Sequence, residues 1–398
     1  MSNALTPSTT HEYIFILGRA GELCLAEARA ILERYDYDFK IIFSSSEILR
    51  FTVSDELPIE NLIKTLGGTI KIAKAMITIP DADMEKIAAE TEKLLEEETK
   101  DGKILFGVSV YGSEKLSSPQ ISETIKENLR KRNITSRYVT NEREPLTSVQ
   151  IVKHGLEEII LLVEEENVVL GKTMAVQDFE DWGRRDYGRP QVYPHEGMLP
   201  PKVARMMANI AISNILPAGR QVNINLTVLD PFCGCGTILA EAMMLGCKTI
   251  GGDISPKLTA ATEKNLAWLR ETYGLTSDYE VVQADATHIS EKISKVDVIV
   301  TEPFLGPNLE GEKKLSPQEI KNIVRGLEKL YVGCFSDWRK VLNKGGTVAF
   351  IFPVFGSENP VKKVLDKVIK LGYTVAVGPF EYGRPNAKVK RRIYLFNI

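Results

Sequence analysis

Short apolar runs alternate with stretches of helical spacing in the N-terminal part of the chain. Over residues 1–85 this pattern predicts strand, helix, strand, strand, helix, strand, from the apolar run Tyr13–Gly18 to Thr69–Ile79. That order is typical of a ferredoxin-like α+β unit. A charged helix, further strands and a basic helix over residues 86–177 predict a second α+β domain.

Residues 178–201 have little periodicity and are rich in Gly, Pro, Asp and Arg, which is typical of a linker or functional loop. An amphipathic helix opens residues 202–398, and strands and helices alternate from Leu226 onward. Such alternation predicts a parallel sheet with helices on both faces. The predicted fold class is therefore α/β, with a doubly wound C-terminal domain after two α+β domains.

Composition limits the classes of protein that the pattern allows. The 398 residues are 43% hydrophobic and 26% charged, with a formal net charge of −3. No apolar run approaches the roughly 20 residues of a membrane helix, and the first residues lack the features of a secretory signal. We therefore expect a cytoplasmic protein of two or three domains, in which any affinity for nucleic acid comes from local basic patches.

The five cysteines are an odd number spread along the chain, which favours reduced thiols over a disulfide framework. Cys233 and Cys235 form C-x-C, and no second Cys or His pair lies at the spacing of a zinc site. The four histidines form no cluster in the sequence. The sequence therefore predicts no metal site, and it predicts that both cysteines are small loop residues.

Acidic residues follow four predicted strands of the C-terminal domain. They are Asp230, Asp253, Asp285 and Glu302. Ligands of a doubly wound sheet lie at the carboxyl ends of its strands, so these residues are candidates for a shared site. After Asp230, the loop PFCGCG contains Gly234 and Gly236, which allow backbone to approach a ligand closely.

Two common phosphate-binding loops do not fit this segment. A dinucleotide loop G-x-G-x-x-G beginning at Gly234 would need glycine where Leu239 stands. No Gly-Lys-Ser/Thr follows, as a phosphate loop of the other common type requires. A nucleoside ligand without phosphates fits the loop better.

The segments DPFCGCGTILAEA, GGDIS, QAD and TEPFLGP, in this order and spacing, resemble the S-adenosylmethionine motifs of class I methyltransferases. More narrowly, they resemble the THUMP-containing tRNA guanosine N2-methyltransferases that modify position ten of tRNA. The resemblance covers roughly residues 100–398, including the segment GKTMAVQDFEDWGRRDYGRP and the following GMLPPKVARMMANIA. The first 85 residues match the family only in their layout, which is the ferredoxin-like order described above (1–85). The resemblance implies a THUMP domain (86–177), a linker (178–201) and a Rossmann-like methyltransferase domain (202–398).

The resemblance also implies a cofactor, S-adenosyl-L-methionine, and roles for particular residues. The loop from Asp230 to Gly236 would hold its methionine part, Asp253 its ribose, and Ile254 and Asp285 its adenine. The full set of implied cofactor contacts is Asp230, Pro231, Cys233, Gly234, Gly236, Thr237, Asp253, Ile254, Asp285 and Ala286.

The fourth motif departs from the Asp/Asn-Pro-Pro-Phe/Tyr pattern of amino-group methyltransferases. Glu302 stands where Asp is usual, Pro303 matches the first proline, Phe304 takes the place of the second, and Leu305 that of the aromatic residue. In such a motif a carboxylate or amide orients the exocyclic amine while an aromatic ring stacks on the base. We therefore predict Glu302, Pro303 and Phe304 as catalytic residues, with Phe304 or Leu305 lining the base.

Two basic patches are candidates for contact with RNA, and solvated faces or ion pairs are the alternative for each. The predicted contacts are Lys126, Arg130, Lys131, Arg132, Arg184, Arg185 and Arg189. Trp182 and Tyr187 alternate with the second group and could stack on bases. The tail KVKRR is a third basic segment, and His195 lies in a loop that could close over the substrate.

Together these features predict methyl transfer to the exocyclic N2 of a tRNA guanosine, with tRNA as the partner. A DNA or rRNA amino-methyltransferase would share the catalytic motifs. An RNA-binding protein with a degenerate site would share the N-terminal half, although its four acidic strand ends would then have no purpose.

Overall fold

The computed structural model describes residues 10–97, 103–113, 115–141, 145–193, 198–219, 226–307, 316–355, 360–383 and 389–398. These residues divide into two compact units. The described residues within 1–19, 37–65 and 69–179 form the N-terminal unit, and those within 20–36, 66–68 and 180–398 form the C-terminal unit.

The first half of the chain has the element order β1 (His11–Leu17), α1 (Gly21–Arg34), β2 (Phe39–Ser44), β3 (Ile48–Val53), α2 (Ile59–Thr65), β4 (Thr69–Ile79), α3 (Met84–Glu97), β5 (Lys103–Tyr111), α4 (Ser118–Lys131), β6 (Thr135–Val139), α5 (Ser148–His154), β7 (Glu157–Glu164), β8 (Asn167–Val176) and α6 (Phe179–Tyr187). The second half continues with α7 (Pro201–Ile215), β9 (Thr227–Asp230), α8 (Thr237–Met244), β10 (Lys248–Asp253), α9 (Pro256–Tyr273), β11 (Tyr279–Gln283), β12 (Val296–Thr301), α10 (Pro317–Trp338), β13 (Leu342–Val354), α11 (Val361–Lys370), β14 (Thr374–Tyr382) and β15 (Lys390–Asn397).

One eight-stranded sheet forms the N-terminal unit, in the order β2-β3-β1-β4-β8-β7-β5-β6. Strands β4 and β8 pair antiparallel, so segments from both predicted N-terminal domains contribute to a single sheet. A buried ion pair also links segments from the two predicted domains, since Lys71 Nζ on β4 lies 2.5 Å from Glu158 Oε1 on β7. Lys71 also donates to the Leu146 carbonyl at 2.6 Å, which helps to offset the cost of burying its charge.

Helix α1 packs in the C-terminal unit although it lies between β1 and β2 in the sequence. Its buried Glu27 accepts hydrogen bonds from the backbone amides of Gly67 and Gly68, at 2.8 and 2.7 Å, and from Asn209 of α7 at 2.6 Å. Burial raises the pKa of Glu27, and these donors oppose that shift. A side chain at Gly68 would come within 2.7 Å of Cys24 and Met206, so this close approach requires glycine.

The seven-stranded sheet of the C-terminal unit has the order β11-β10-β9-β12-β13-β15-β14. The pairs from β11 to β13 are parallel, and β15 pairs antiparallel with both β13 and β14. Strand order reverses between β9 and β12, and ligands of such sheets bind at the carboxyl ends beside this reversal. Buried aromatic residues of α10, β13 and β15 form its main core, including Phe335, Trp338 and Phe350. The predicted α/β fold class is confirmed.

The segment predicted as a linker contains a helix, α6, which is short and strongly polar. Trp182 and Arg185 on one side of α6 are buried, whereas Arg184 and Tyr187 are exposed. The helix buries one aromatic residue and ion-paired charges, so it lacks the apolar stripe by which the other helices were predicted.

Candidate active site

Asp230 ends the strand β9 and is buried at the point of strand reversal. Its Oδ1 accepts hydrogen bonds from Thr301 Oγ1 at 2.7 Å and from the Phe232 amide at 3.1 Å. Burial raises the pKa of Asp230 to about 7, and the nearby charges of Asp253 and Glu302 add to that shift. Asp230 therefore joins the first motif loop to the end of β12, directly before Glu302.

The glycines of this loop have left-handed backbone conformations, with φ of +51° at Gly234 and +80° at Gly236. A Cβ at Gly236 would lie 2.9 Å from Thr262 Cγ2, whereas one at Gly234 would meet nothing within 4 Å. The Gly234 amide donates to Asp253 Oδ2 at 3.1 Å. Gly236 is therefore required by packing, and Gly234 leaves backbone accessible beside the Asp253 carboxylate.

Cys233 and Cys235 are buried and form no disulfide. Cys233 Sγ lies 3.6 Å from Thr262 Oγ1 and packs on Leu239 of α8. Burial raises the pKa of the Cys233 thiol well above its usual range, so the group stays protonated. These surroundings support the interpretation that both cysteines fill space in the loop.

The ends of β10 and β11 carry two carboxylates, Asp253 and Asp285, and one exposed apolar side chain, Ile254. Asp253, which is half-buried, accepts from the Ser255 amide at 2.9 Å through its second oxygen. Ile254 is 70% exposed although it is a large apolar residue. Asp285 is exposed, and hydrogen bonds from the amide and hydroxyl of Thr287, both at 2.8 Å, lower its pKa.

The remaining predicted cofactor residues lie inside the fold around this edge. Pro231 is buried in the first loop, and the backbone carbonyl of Ala286 accepts from Trp338 Nε1 at 3.0 Å. Thr237 opens α8 and is 8% exposed. All three residues are buried, and direct contact of their side chains with a cofactor stays a prediction.

Glu302 follows β12 and is held by Arg391 of β15, whose Nε donates to Oε1 at 2.6 Å. The side chain of Glu302 is 13% exposed. Burial raises the pKa of Glu302, and the charge and hydrogen bond of Arg391 oppose that rise. The carboxylate thus has an orienting partner, and it lies beside the Thr301–Asp230 connection.

Phe304 is 56% exposed, and its backbone carbonyl accepts from the Tyr331 hydroxyl at 2.8 Å. Pro303 is buried, and Leu305 is half-buried. Of the two candidates for lining a base, Phe304 is therefore the residue with an open ring surface. The loop turns at Gly306, with φ +101°, where a Cβ would come within 3.3 Å of Phe355 and Ile323.

Sequence analysis missed the role of Arg391, since it treated KVKRR as one basic segment. In β15 the two arginines have different partners, and Arg392 pairs with the exposed Glu381 at 2.8 Å. Alternation along a strand places neighbouring side chains on opposite faces. The apolar run after Arg392 was the signal for that strand.

The segment after α6 lies against the first motif loop. Arg189 donates to Thr237 Oγ1 at 2.7 Å, and the Gln191 amide donates to Asn265 Oδ1 at 2.9 Å. The Asn265 amide group in turn donates to the carbonyls of Gln191 and Cys235, both at 2.9 Å. These hydrogen bonds stabilise the first motif loop and the start of α8. His195 lies outside the described residues.

The structure corrects the predicted RNA role of Arg185 and Arg189, which are 5% and 6% exposed. Arg185 Nε donates to Glu241 at 2.8 Å, and its guanidinium lies 4.1 Å from the centre of the Trp182 ring. Trp182 is buried as well, so it cannot stack on a nucleotide. Only Arg184 of the three predicted arginines is exposed.

The basic patch of the N-terminal unit is more open. Arg130 and Lys131 are exposed, and the Lys126 side chain is 45% exposed beside Tyr138. Arg132 instead forms ion pairs with Glu92 and Glu96, both at 2.5 Å. Three of the four predicted cations in this patch therefore lack a close carboxylate partner in the described part of the chain, apart from a 3.9 Å contact between Lys126 and Glu123.

In the described part of the chain, no group of three or more His, Cys, Asp or Glu side chains could hold a metal ion. None of the helices described there combines the length and the apolar character of a membrane span.

The sheet order, with acidic residues at the strand ends, is that of a Rossmann-like α/β domain. Residues 191–359 match the family model described as RMKL-like, methyltransferase domain. The predicted resemblance to tRNA guanosine N2-methyltransferases is confirmed by curated relatives. One from Methanothermobacter thermautotrophicus, named tRNA (guanine(10)-N2)-dimethyltransferase, is 33% identical over 191 residues, covering 47% of this chain and 48% of the relative. A relative of the same name from Methanocaldococcus jannaschii is 36% identical over 150 residues, covering 35% and 39%.

The chain thus spans about half the length, or less, of these curated relatives. Solved structures match more of it at lower identity. TrmN from Thermus thermophilus has a TM-score of 0.58 and 17% identity, with 98% of this chain and 99% of that chain covered. SMU.472, complexed with SAH, has a TM-score of 0.52 and 12% identity, with 97% of each chain covered. At these identities the two structures show a shared fold.

Proposed function

We propose that the protein is an S-adenosylmethionine-dependent tRNA methyltransferase that modifies the exocyclic N2 of a guanosine, at position ten. The observation that carries the proposal is the placement of Glu302 and the exposed Phe304 ring at the end of β12, joined through Thr301 to Asp230 of the first motif loop. The name that the curated relatives share supports the choice of nucleotide.

The residues at this edge fit the proposed cofactor. The backbone around Gly234 is open, the Asp253 carboxylate has lone pairs left for ribose hydroxyls, and the exposed Ile254 offers an apolar surface for adenine. Asp285 would accept from the adenine amino group. When bound, S-adenosylmethionine supplies an electrophilic methyl group on a positively charged sulfur.

The chain's own residues then position the nucleophile. Glu302 accepts a hydrogen bond from one N–H of the exocyclic amine, so that the nitrogen lone pair faces the first motif loop. The Phe304 ring stacks on the base and limits its rotation. Glu302 is also placed to receive the proton that the nitrogen releases after methylation, since burial makes it more basic than an exposed carboxylate.

Binding of tRNA would use the predicted THUMP domain, residues 86–177, through the open cations Lys126, Arg130 and Lys131. Phosphate contacts of this kind give affinity and orientation rather than sequence recognition. Arg184 and Tyr187, on the exposed side of α6, are further candidates in the C-terminal unit. A cytoplasmic location, where unmodified tRNA would be met, is part of the proposal.

The test is transfer of labelled methyl groups to unmodified tRNA, rRNA and DNA, followed by nucleoside analysis. We expect label in tRNA as N2-methylated guanosine, and its loss when position ten is replaced by adenosine. Equal or greater transfer to DNA or rRNA would favour the alternative amino-methyltransferases. Cofactor binding without transfer to any nucleic acid would favour an RNA-binding protein with a degenerate site.

A further inference from the structure

On helix α10 the basic side chains are exposed, whereas the acidic side chains are buried or bonded locally. Its exposed charged positions include Lys321, Arg325 and Lys329, which follow one another at four-residue intervals. Its acidic residues are turned inward or bonded locally: Glu319 caps the helix with Ser316, Glu328 is 8% exposed, and Asp337 is 3% exposed. Four-residue spacing aligns side chains on one face of a helix, so the three cations form a single basic stripe about 12 Å long.

No carboxylate among the described residues forms an ion pair with Lys321, Arg325 or Lys329. A solvated helix surface usually carries both signs of charge, often as pairs three or four residues apart. The chain as a whole is slightly acidic, with a net charge of −3, so this local excess does not follow from composition.

Helix α11 extends the basic surface. Lys363 Nζ lies 3.4 Å from Glu328 of α10, and its side chain is 76% exposed. Lys362 and Lys367 are exposed on the same short helix, where Asp366 is the exposed acidic residue. We call Lys321, Arg325, Lys329, Lys362, Lys363 and Lys367 the α10–α11 basic surface.

Helix α10 packs on the catalytic loop with the face opposite its basic stripe. A Cβ at Gly306 would lie 3.3 Å from Ile323 Cγ2, and the Tyr331 hydroxyl, two turns further along α10, donates to the Phe304 carbonyl at 2.8 Å. Lys321 and Arg325 each lie two residues from Ile323, so the stripe is on the opposite, solvent-facing side of the helix. A polyanion whose base reaches Glu302 and Phe304 would meet the stripe where its backbone passes around the outer face of α10.

We propose that the α10–α11 basic surface binds the phosphate backbone of the substrate RNA outside the site of the target nucleotide. This inference rests on the proposed function and adds an RNA-binding surface within the catalytic unit. Phosphates are the complementary charge, and rows of lysine and arginine bind them without reading sequence. Helix α10 exposes no large apolar side chain and α11 exposes one, Ile369, whereas a protein interface or a membrane surface would need a cluster of them as an anchor.

The test compares two triple charge reversals in the full-length protein. K321E/R325E/K329E changes the stripe, and all three side chains are exposed. K248E/K295E/K344E is the matched control, because these exposed lysines lie at the beginnings of β10, β12 and β13, at the opposite edge of the sheet. Binding of unmodified tRNA is measured over a salt series, and S-adenosylmethionine binding is measured by calorimetry.

We expect the stripe variant to raise the Kd for tRNA roughly tenfold or more and to reduce the salt slope of log Kd by roughly 2. Cofactor binding should equal that of the wild type, and the control variant should bind tRNA like the wild type. Equal affinity and slope in both variants, or equal loss in both, would overturn the inference. If the stripe inference is overturned but the wild type methylates tRNA, the proposed function still holds. If the wild type neither binds nor methylates tRNA, the proposed function and the stripe inference are both wrong.

Discussion

Arg391 donates through Nε to Glu302 Oε1 at 2.6 Å, so a strand at the antiparallel side of the sheet orients the acidic residue that ends β12. The pair is only partly exposed, with 24% of the Arg391 side chain and 13% of the Glu302 side chain accessible. Burial raises the pKa of the Glu302 carboxyl, and the charge and hydrogen bond of Arg391 oppose that rise.

The Arg391→Ala variant should therefore shift the pH dependence of methyl transfer. Since Arg391 lowers the pKa of Glu302, its removal raises that pKa, and the acidic limb of the rate profile moves to higher pH. Activity should fall most at low pH and recover in part as the pH rises, with Arg391→Lys intermediate. The profile is measured from tRNA methylation at saturating cofactor.

Arg392→Ala is the matched control, because Arg392 is the next residue of β15 and pairs with the exposed Glu381. Its profile should overlay that of the wild type. A uniform loss of activity in Arg391→Ala at every pH, without a shift, would show that Arg391 acts through packing rather than through the ionisation of Glu302.

Replacement of Glu302 tests the central residue of the proposed mechanism. Glu302→Ala removes the acceptor for the exocyclic amine, and we expect a loss in kcat/KM of about 10²-fold or more. Glu302→Gln keeps an acceptor oxygen but loses the charge and the ion pair, so it should retain more activity than alanine does. S-adenosylmethionine binding should persist in both variants, as measured by calorimetry. Full tRNA methylation by Glu302→Ala with cofactor bound would contradict the role of Glu302 in positioning the exocyclic amine.

The C-terminal fold was predictable because strand and helix signals in its sequence agree with the final packing. Apolar strands ending in Asp230, Asp253 and Glu302 are readable from local pattern, and a parallel sheet brings such ends together. The position of helix α1 was not predictable in this way. Its apolar face is evident, but the partner is set by Glu27 with Gly67 and Gly68, a contact that periodicity does not encode.

The exposure of individual basic residues was also not predictable from the sequence. Arg184 and Arg185 are adjacent in sequence, yet one is exposed and the other is held by Glu241 of α8. Composition gives the charge of a segment, whereas the partner 56 residues away decides whether that charge is available. A row of cations at helical spacing, as on α10, is more informative because the spacing itself fixes a common face.

The Cys233→Ala/Cys235→Ala double variant should keep cofactor affinity within a few-fold of the wild type. Both side chains are buried and small, and the cost should appear in stability, on the order of 1–2 kcal/mol for the lost packing. Gly236→Ala is the contrasting change, because φ is +80° and the new Cβ would meet Thr262 at 2.9 Å. We expect it to weaken cofactor binding much more. Loss of binding in the cysteine variant, measured by calorimetry on folded protein, would reopen a chemical role for the thiols.

Asp230 should make stability fall as the pH rises. Its pKa is about 7 in the folded protein against 3.8 for an ordinary Asp, so the unfolded chain binds fewer protons between these values. The contribution is fully present below about pH 4 and is lost as the pH rises through about 7, with an upper limit of about 4 kcal/mol. Asp230→Asn keeps an acceptor for Thr301 and the Phe232 amide, and it should flatten this part of the profile.

The measurement is the free energy of unfolding by denaturant, or Tm, from about pH 2 to pH 8 for both proteins. Asp285→Asn is the control of opposite sign, because hydrogen bonds lower the pKa of Asp285 and its stabilisation is lost as the pH falls through that pKa. Its difference from the wild type should therefore appear at the acidic end and be small, since Asp285 is exposed. A parallel stability profile for Asp230→Asn and the wild type would contradict a raised pKa at Asp230. In that case Asp230 would be an ionised carboxylate, held by Thr301 and the Phe232 amide, that connects the first motif loop to the end of β12.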